Sequence, residues 1–252
     1  MRIRLTLLVI LSGFWIGCKA QQIDEMVDKA NNLYRNQQYQ SALAVYDSIK
    51  SLGYESALLY YNIGNTYYKL NEIPNAILYY EKALKLDPKN EKANQNLSRA
   101  RLLTIDRIEE IPEFFLLNSY REFVFAFSSN VWAILSTVFF ISCLAAFLIF
   151  FLSTGTGIRR VGFYFGIVLL LLSVTTLLFA NKSYRMFTTH NSAVVMQSTV
   201  TLKGSPSENS SELYIIHEGT KVHLLDSVED WKEVRLTDGK KGWLKAETIE
   251  LI

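Results

Sequence analysis

Side chains suited to covalent or metal chemistry are few and scattered. Cys18 and Cys143 lie far apart, one near the N-terminus and one inside a long apolar run, so they offer neither a disulfide framework nor a thiolate cluster. His190, His217 and His223 all fall in the C-terminal quarter, and none has the i, i+4 partner and nearby glutamate of a zinc-binding helix. The polar segments hold no Gly-x-Ser-x-Gly turn, no Cys–His pairing and no phosphate-cradling glycine loop. Hydrolysis needs a nucleophile with an ordered base. The sequence therefore predicts no enzyme, no metal and no cofactor. What remains suits reversible contact: Asn31, Tyr34, Asn62, Asn65, Thr66 and Lys69 in the N-terminal half, and Trp231 and Trp243 near the C-terminus. Taken singly, solvation accounts for each of the first six as well as partner binding does, and barrel packing accounts for each tryptophan.

The first six gain meaning from a period of 34 residues. The segment 57–90 carries Tyr60, Ile63, Gly64, Tyr67, Ala76, Tyr80, Ala83 and Pro88. One period earlier stand Met26, Lys29, Ala30, Leu33, Ala42, Tyr46, Ile49 and Tyr54, and all but Lys29 and Tyr54 keep their small or apolar class. The spacing is helical. Gly64 and Ala76 let two antiparallel helices approach, the tyrosines and aliphatics at three- and four-residue intervals form buried stripes, and Pro88 ends the unit. These positions resemble the tetratricopeptide repeat. That resemblance implies one repeat over 23–56, a second over 57–90 and a capping helix over 91–105. It also implies a concave groove lined by the first helix of each repeat, which places Asn31, Tyr34, Asn62, Asn65, Thr66 and Lys69 as candidate partner contacts.

Hydrophobic residues make up 50% of the chain, and the excess is concentrated in the first sixteen residues and in a block between about 123 and 180. Arg2 and Arg4, an apolar stretch from Leu5 to Ile16, and the small residues Gly17 and Ala20 have the order of a secretory signal peptide over 1–20. Cleavage before Gln21, lipoprotein processing at Cys18 and a retained anchor are the three alternatives. After a linker and interfacial segment over 106–130, rich in Phe, Leu and Tyr, come 131–152 and 161–180, two uncharged stretches long enough to span a bilayer. The eight residues between them, 153–160, form a loop too short for anything but an antiparallel hairpin, and it carries Arg159 and Arg160. An exported N-terminus and a basic loop both predict that loop on the cytoplasmic side, with both chain ends in the periplasm of a two-pass inner-membrane protein. Gly162 and Gly166 form a small-residue face for packing within the hairpin.

From 193 to 252 the pattern changes to short β-type runs punctuated by Gly204-Ser205-Pro206, Glu218-Gly219 and Asp238-Gly239. Their order resembles a bacterial SH3-like barrel. Lys245 and Thr248 stand where polyproline-binding SH3 domains carry proline and tyrosine. The expected fold class is thus multidomain: an all-α tetratricopeptide solenoid, a two-helix transmembrane hairpin and an all-β SH3-like barrel.

The order of segments resembles BatE-type proteins of the Bacteroides aerotolerance group, most specifically in the IEEIPEFF linker, the SSNVW run and the RR loop followed by GFYFG. That resemblance implies a non-enzymatic scaffold in an inner-membrane complex with other membrane or periplasmic proteins. Peptidoglycan binding through the barrel is the alternative. With 26 basic and 24 acidic residues, nothing in the charge calls for nucleic acid as a partner.

Overall fold

The computed structural model describes residues 22–106, 115–188 and 191–252. The expected signal peptide and the linker residues 107–114 lie outside them. The chain divides into two compact units, one built from the N- and C-terminal segments and the other from 112–189.

The first unit begins with five helices: α1 (22–35), α2 (Tyr39–Ser51), α3 (Ala57–Lys69), α4 (Ile73–Leu86) and α5 (Glu91–Arg101). Ser56 caps α3 by accepting from Leu59 N–H at 3.1 Å, and Asn90 caps α5 by accepting from Ala93 N–H at 3.0 Å. Pro74 opens α4, and Pro88 follows its end. The turns from α1 to α2 and from α3 to α4 each use one left-handed residue, Gln37 (φ 61°) and Asn71 (φ 63°), again 34 residues apart. The predicted small positions are fully buried at Ala30, Ala42 and Ala76. At Gly64 an added Cβ would lie 2.7 Å from the Tyr80 ring, so only glycine lets that ring seat against α3. Lys29 and Tyr54, the two residues that break the repeat pattern, are exposed.

Seven strands follow in one antiparallel sheet of order β3-β2-β6-β5-β4-β1-β7, consistent with an SH3-like barrel: β1 (Ser192–Val195), β2 (Thr199–Lys203), β3 (Glu212–His217), β4 (Lys221–Val228), β5 (Trp231–Leu236), β6 (Lys241–Lys245) and β7 (Ile249–Leu251). The core holds Ala193, Val195, Val200, Leu202, Ile216, Val222, Val234, Leu236 and Leu244. β1 serves two cores at once. Ala193 and Val195 point into the barrel, whereas Val194, with Ile252 and Met196, packs into the helical core. The helices and the sheet therefore share one continuous body.

The second unit holds α6 (Phe115–Phe125), α7 (Ser129–Leu152) and α8 (Thr156–Thr188). Both α7 and α8 are long and apolar enough to cross a membrane. They pack antiparallel through small residues. A Cβ on Gly162 would meet Ala146 O at 3.0 Å, and one on Gly166 would meet the Phe147 ring at 3.2 Å. Ser136 and Ser173 exchange hydrogen bonds with each other's carbonyls at 2.9 and 3.0 Å. The Cys143 thiol donates to Gly166 O at 3.3 Å. The connection is shorter than the eight residues expected. α8 begins at Thr156, so Arg159 and Arg160 lie in its first turns rather than in a loop. Intrahelical bonding continues there, and the Arg159 guanidinium lies over the Phe150 ring, 5.2 Å from its centroid. At the other end Phe123, Trp132 and Phe179 form an aromatic cluster, and Trp132 Nε1–H donates to Val124 O at 2.8 Å.

A candidate protein-binding groove

α1, α3 and α5, the first helices of successive repeats, are joined by asparagine side chains. Asn31 Oδ1 on α1 accepts from Tyr46 OH on α2 at 2.7 Å and from Asn62 Nδ2 on α3 at 3.1 Å. One period on, Asn65 Oδ1 accepts from Tyr80 OH and from Asn96 Nδ2, each at 2.8 Å. Each repeat thus uses a tyrosine from its second helix to fix the asparagine of its first. An asparagine on the next first helix then donates to the same oxygen. Burial and the nearby Tyr34 hydroxyl push the Tyr46 pKa up to about 12, and burial raises that of Tyr80 as well, so both phenols stay protonated and can donate. With both Oδ1 atoms occupied, the Nδ2 groups of Asn31 and Asn65 remain for the cavities that these residues line.

Among the described residues, two such cavities lie along the groove. The first, about 260 Å³, is lined by Asn31, Tyr34, Arg35, Tyr46, Asn62 and Asn65. The second, about 190 Å³, has Asn65, Tyr68, Lys69, Tyr80, Asn96 and Arg99, with Tyr34 shared. Adding 34 to every residue number of the first gives those six residues of the second. Arg35, Lys69 and Arg99 are exposed, and among the described residues no carboxylate lines either cavity. Arg35 and Arg99 donate to the neutral side chains of Asn32 and Asn96, at 3.5 and 3.3 Å.

Of the predicted contacts, Asn31, Tyr34, Asn62, Asn65 and Lys69 line these cavities. Thr66 does not. It is fully buried and its hydroxyl donates to Asn62 O at 2.7 Å, which makes it a packing residue within α3. Sequence reasoning missed Arg35, Tyr68, Asn96 and Arg99. The signal was available, because shifting the chosen residues by one period lands on all four.

The two tryptophans lie apart from the groove. On β5 and β6 the core residues Val234, Leu236 and Leu244 alternate with Trp231, Glu233 and Trp243. Glu233 pairs directly with Trp243, so Trp231 and Trp243 share the outer face as diagonal neighbours. Both are half-buried there and lie outside the barrel core.

The barrel meets the helices through charge as well as through Val194. Glu81 on α4 is almost fully buried. It accepts from Arg101 Nη2 and Lys221 Nζ, each at 2.7 Å, which ties α4 to the end of α5 and to β4. Asp106 receives the His217 backbone N–H at 2.6 Å, His217 Nδ1 at 2.9 Å and the Thr220 hydroxyl at 2.8 Å. Burial alone would raise the Asp106 pKa, but these hydrogen bonds outweigh it and hold the carboxyl below its ordinary range. At Gly219, with φ at 83°, a Cβ would lie 2.7 Å from Thr104. The barrel thus sits on α4 and the end of α5.

No curated protein matches the chain. Among protein families, residues 57–90 match the tetratricopeptide repeat, a family of protein–protein interaction modules.

Proposed function

We propose that the chain is a membrane-anchored, non-enzymatic scaffold that recruits protein partners through the groove of its repeats. The observation that carries this reading is the groove itself: cavities beside a matched interaction repeat that present carboxamide donors and cations and that no carboxylate lines among the described residues. The body formed by 22–106 and 191–252 encloses the hairpin in sequence. An even number of spans returns the chain to the side it left, as a shared body requires. The signal-like residues 1–20 and the basic start of α8 favour the periplasm for that body and the inner membrane for the anchor. Resemblance to the BatE type supports a Bat-type aerotolerance complex as its setting.

The test places a photo-activatable phenylalanine analogue at Tyr34, which lines both cavities, in cells carrying the full chain. Protein adducts from this position, absent when the analogue replaces exposed Lys29, are the expected result. Equal labelling from both positions, or none, would overturn the proposal.

The outer-face pair Trp231 and Trp243 favours a second reading, in which the barrel holds peptidoglycan by stacking on sugar rings. Purified peptidoglycan should then retain the detergent-solubilised protein at low salt, and Trp243→Ala should release it. Failure of the wild type to be retained removes that reading and leaves the scaffold untouched.

A further inference from the structure

The chain leaves the body formed by 22–106 and 191–252 at Asp106 and re-enters it at Asn191, and both exits are fastened to the same part of the barrel. Asp106 accepts from the Thr220 hydroxyl, one residue before β4, and Asn191 O accepts from Leu224 N–H within β4. Four residues of extended chain separate these contacts, a distance of ~13 Å. We propose that the surface around the two exits is a lipid-contact site, where Leu102, Leu103, Ile105 and Leu225 enter the headgroup layer of the bilayer. This rests on the proposed anchoring of α7 and α8 in a membrane and adds a second, peripheral contact to it.

Two observations lead there. The first is the patch. Leu102, Leu103 and Ile105 are 68%, 56% and 69% exposed, and Leu225 is exposed on β4 next to the residue that holds Asn191. A single exposed leucine is ordinary, but three such side chains within four residues form an apolar surface. The polar members of the same stretch turn inward. The Thr104 hydroxyl donates to Arg101 O at 2.8 Å, and the Asp106 carboxylate is occupied by His217 and Thr220. What 102–106 offers to its surroundings is therefore aliphatic, without donors or acceptors, and such a surface suits the boundary between headgroups and acyl chains.

The second is the length of the connections. Three peptide steps lead from Thr188, the last residue of α8, to Asn191, a reach of at most ~11 Å. So short a connection keeps the second exit, and Leu225 beside it, within reach of the headgroup layer into which the end of a span emerges. The first exit lies ~13 Å away along the barrel, with Ile105 adjacent to it in sequence. A second copy of the chain is the competing occupant, because Leu102 and Leu103 follow α5 where a further repeat helix would pack.

The test uses the full chain with Cys18→Ser and Cys143→Ser, reconstituted in phosphatidylcholine vesicles. Ile105→Cys, Leu225→Cys, Lys29→Cys and Leu144→Cys each carry an environment-sensitive fluorophore. Lipids with a nitroxide near the headgroup should quench the labels at 105 and 225 roughly threefold more than the label at 29, an exposed position on α1. Adding Leu102→Asp and Leu103→Asp should remove about half or more of the quenching at 105. Both leucines are exposed, so folding is not at stake. Quenching at 105 and 225 no stronger than at 29, or unmoved by the two aspartates, overturns the inference. Shielding of both labels from aqueous iodide without quenching by lipid also overturns it and assigns the patch to a second copy. Leu144, exposed on α7, reports the anchor separately through a nitroxide deep in the acyl chains. If that label is quenched while those at 105 and 225 are not, the anchor stands and only the peripheral contact falls. If none is quenched, the membrane reading of the hairpin fails with it.

Discussion

Neutralising Glu81 should loosen the joint between barrel and helices. Its carboxylate bridges Arg101 and Lys221 with two 2.7 Å contacts, and its side chain is only 7% exposed. Charge-assisted hydrogen bonds contribute about 1.5–3 kcal/mol each, and a fully buried pair stripped of one member costs about 3–5 kcal/mol. Here the cations are not fully buried: the side chains of Arg101 and Lys221 are 37% and 24% exposed and recover hydration when Glu81 is neutral. Glu81→Gln, which keeps the size and one acceptor, should therefore cost about 2 kcal/mol at the joint. Hydrogen exchange by mass spectrometry on the full chain in detergent reads this directly. Amides of β1 and β4 should exchange roughly thirtyfold faster, while those of α7 should not change. Lys221→Met should have a smaller effect, because Glu81 keeps Arg101. In the double variant the effects should be non-additive by about 1 kcal/mol or more. Unchanged exchange in β1 and β4, or strict additivity, would refute the view that this carboxylate couples the two parts.

Other perturbations act on single named contacts. Asn65→Ala removes the acceptor of both Tyr80 OH and Asn96 Nδ2 and should lower thermal stability by about 1–3 kcal/mol, whereas Asn65→Asp keeps an acceptor and should cost less; equal losses would contradict the assigned geometry. Gly162→Val places side-chain atoms against the Ala146 and Phe150 backbone and should separate α7 from α8, so buried Cys143 should react about tenfold faster with a maleimide in a Cys18→Ser background. An unchanged rate would exclude that close approach. Because the folded state depresses the Asp106 pKa below the ordinary 3.8, its stabilising contribution is fully present above about pH 4 and is lost as pH falls through the folded value. The melting-temperature gap between wild type and Asp106→Asn should therefore close as the buffer is taken from pH 6 to pH 3, and a gap that widens on acidification would reverse the assignment.

Much of this fold is written in local sequence because its forces are local. Helical stripes and Pro88 announce the repeats, and two uncharged runs announce the hairpin. The start of α8 differs from the expected span because a charge-based boundary stops at Arg159–Arg160, whereas a helix tolerates arginine in its first turns, here with the Arg159 guanidinium over the Phe150 ring. The groove was half legible. Five of six chosen residues line it, but Thr66 shows that a polar side chain on a first helix can turn inward and satisfy itself on the preceding turn.

The union of barrel and helices was the hardest feature to read, although one clue was present. A half-exposed strand alternates apolar and polar residues, whereas Ala193-Val194-Val195-Met196 does not alternate. A continuous apolar run in so short a strand means that both faces are covered, one by the barrel's own core and the other by something else. The cover is the helical core, with Ile77 of α4 lying 3.1 Å from where a Cβ on Gly219 would stand. Glu81 and Asp106 then fix the docking with directional bonds that residue type could not disclose, since a buried carboxylate and a solvated one look alike in sequence. Because the barrel engages α4 and the end of α5, while α1, α3 and α5 carry the two cavities, occupancy of the groove does not require the barrel to leave. A partner segment in the groove and a ligand on the Trp231–Trp243 face should therefore bind independently, and mutual exclusion in a competition titration would show that the two surfaces are not separate.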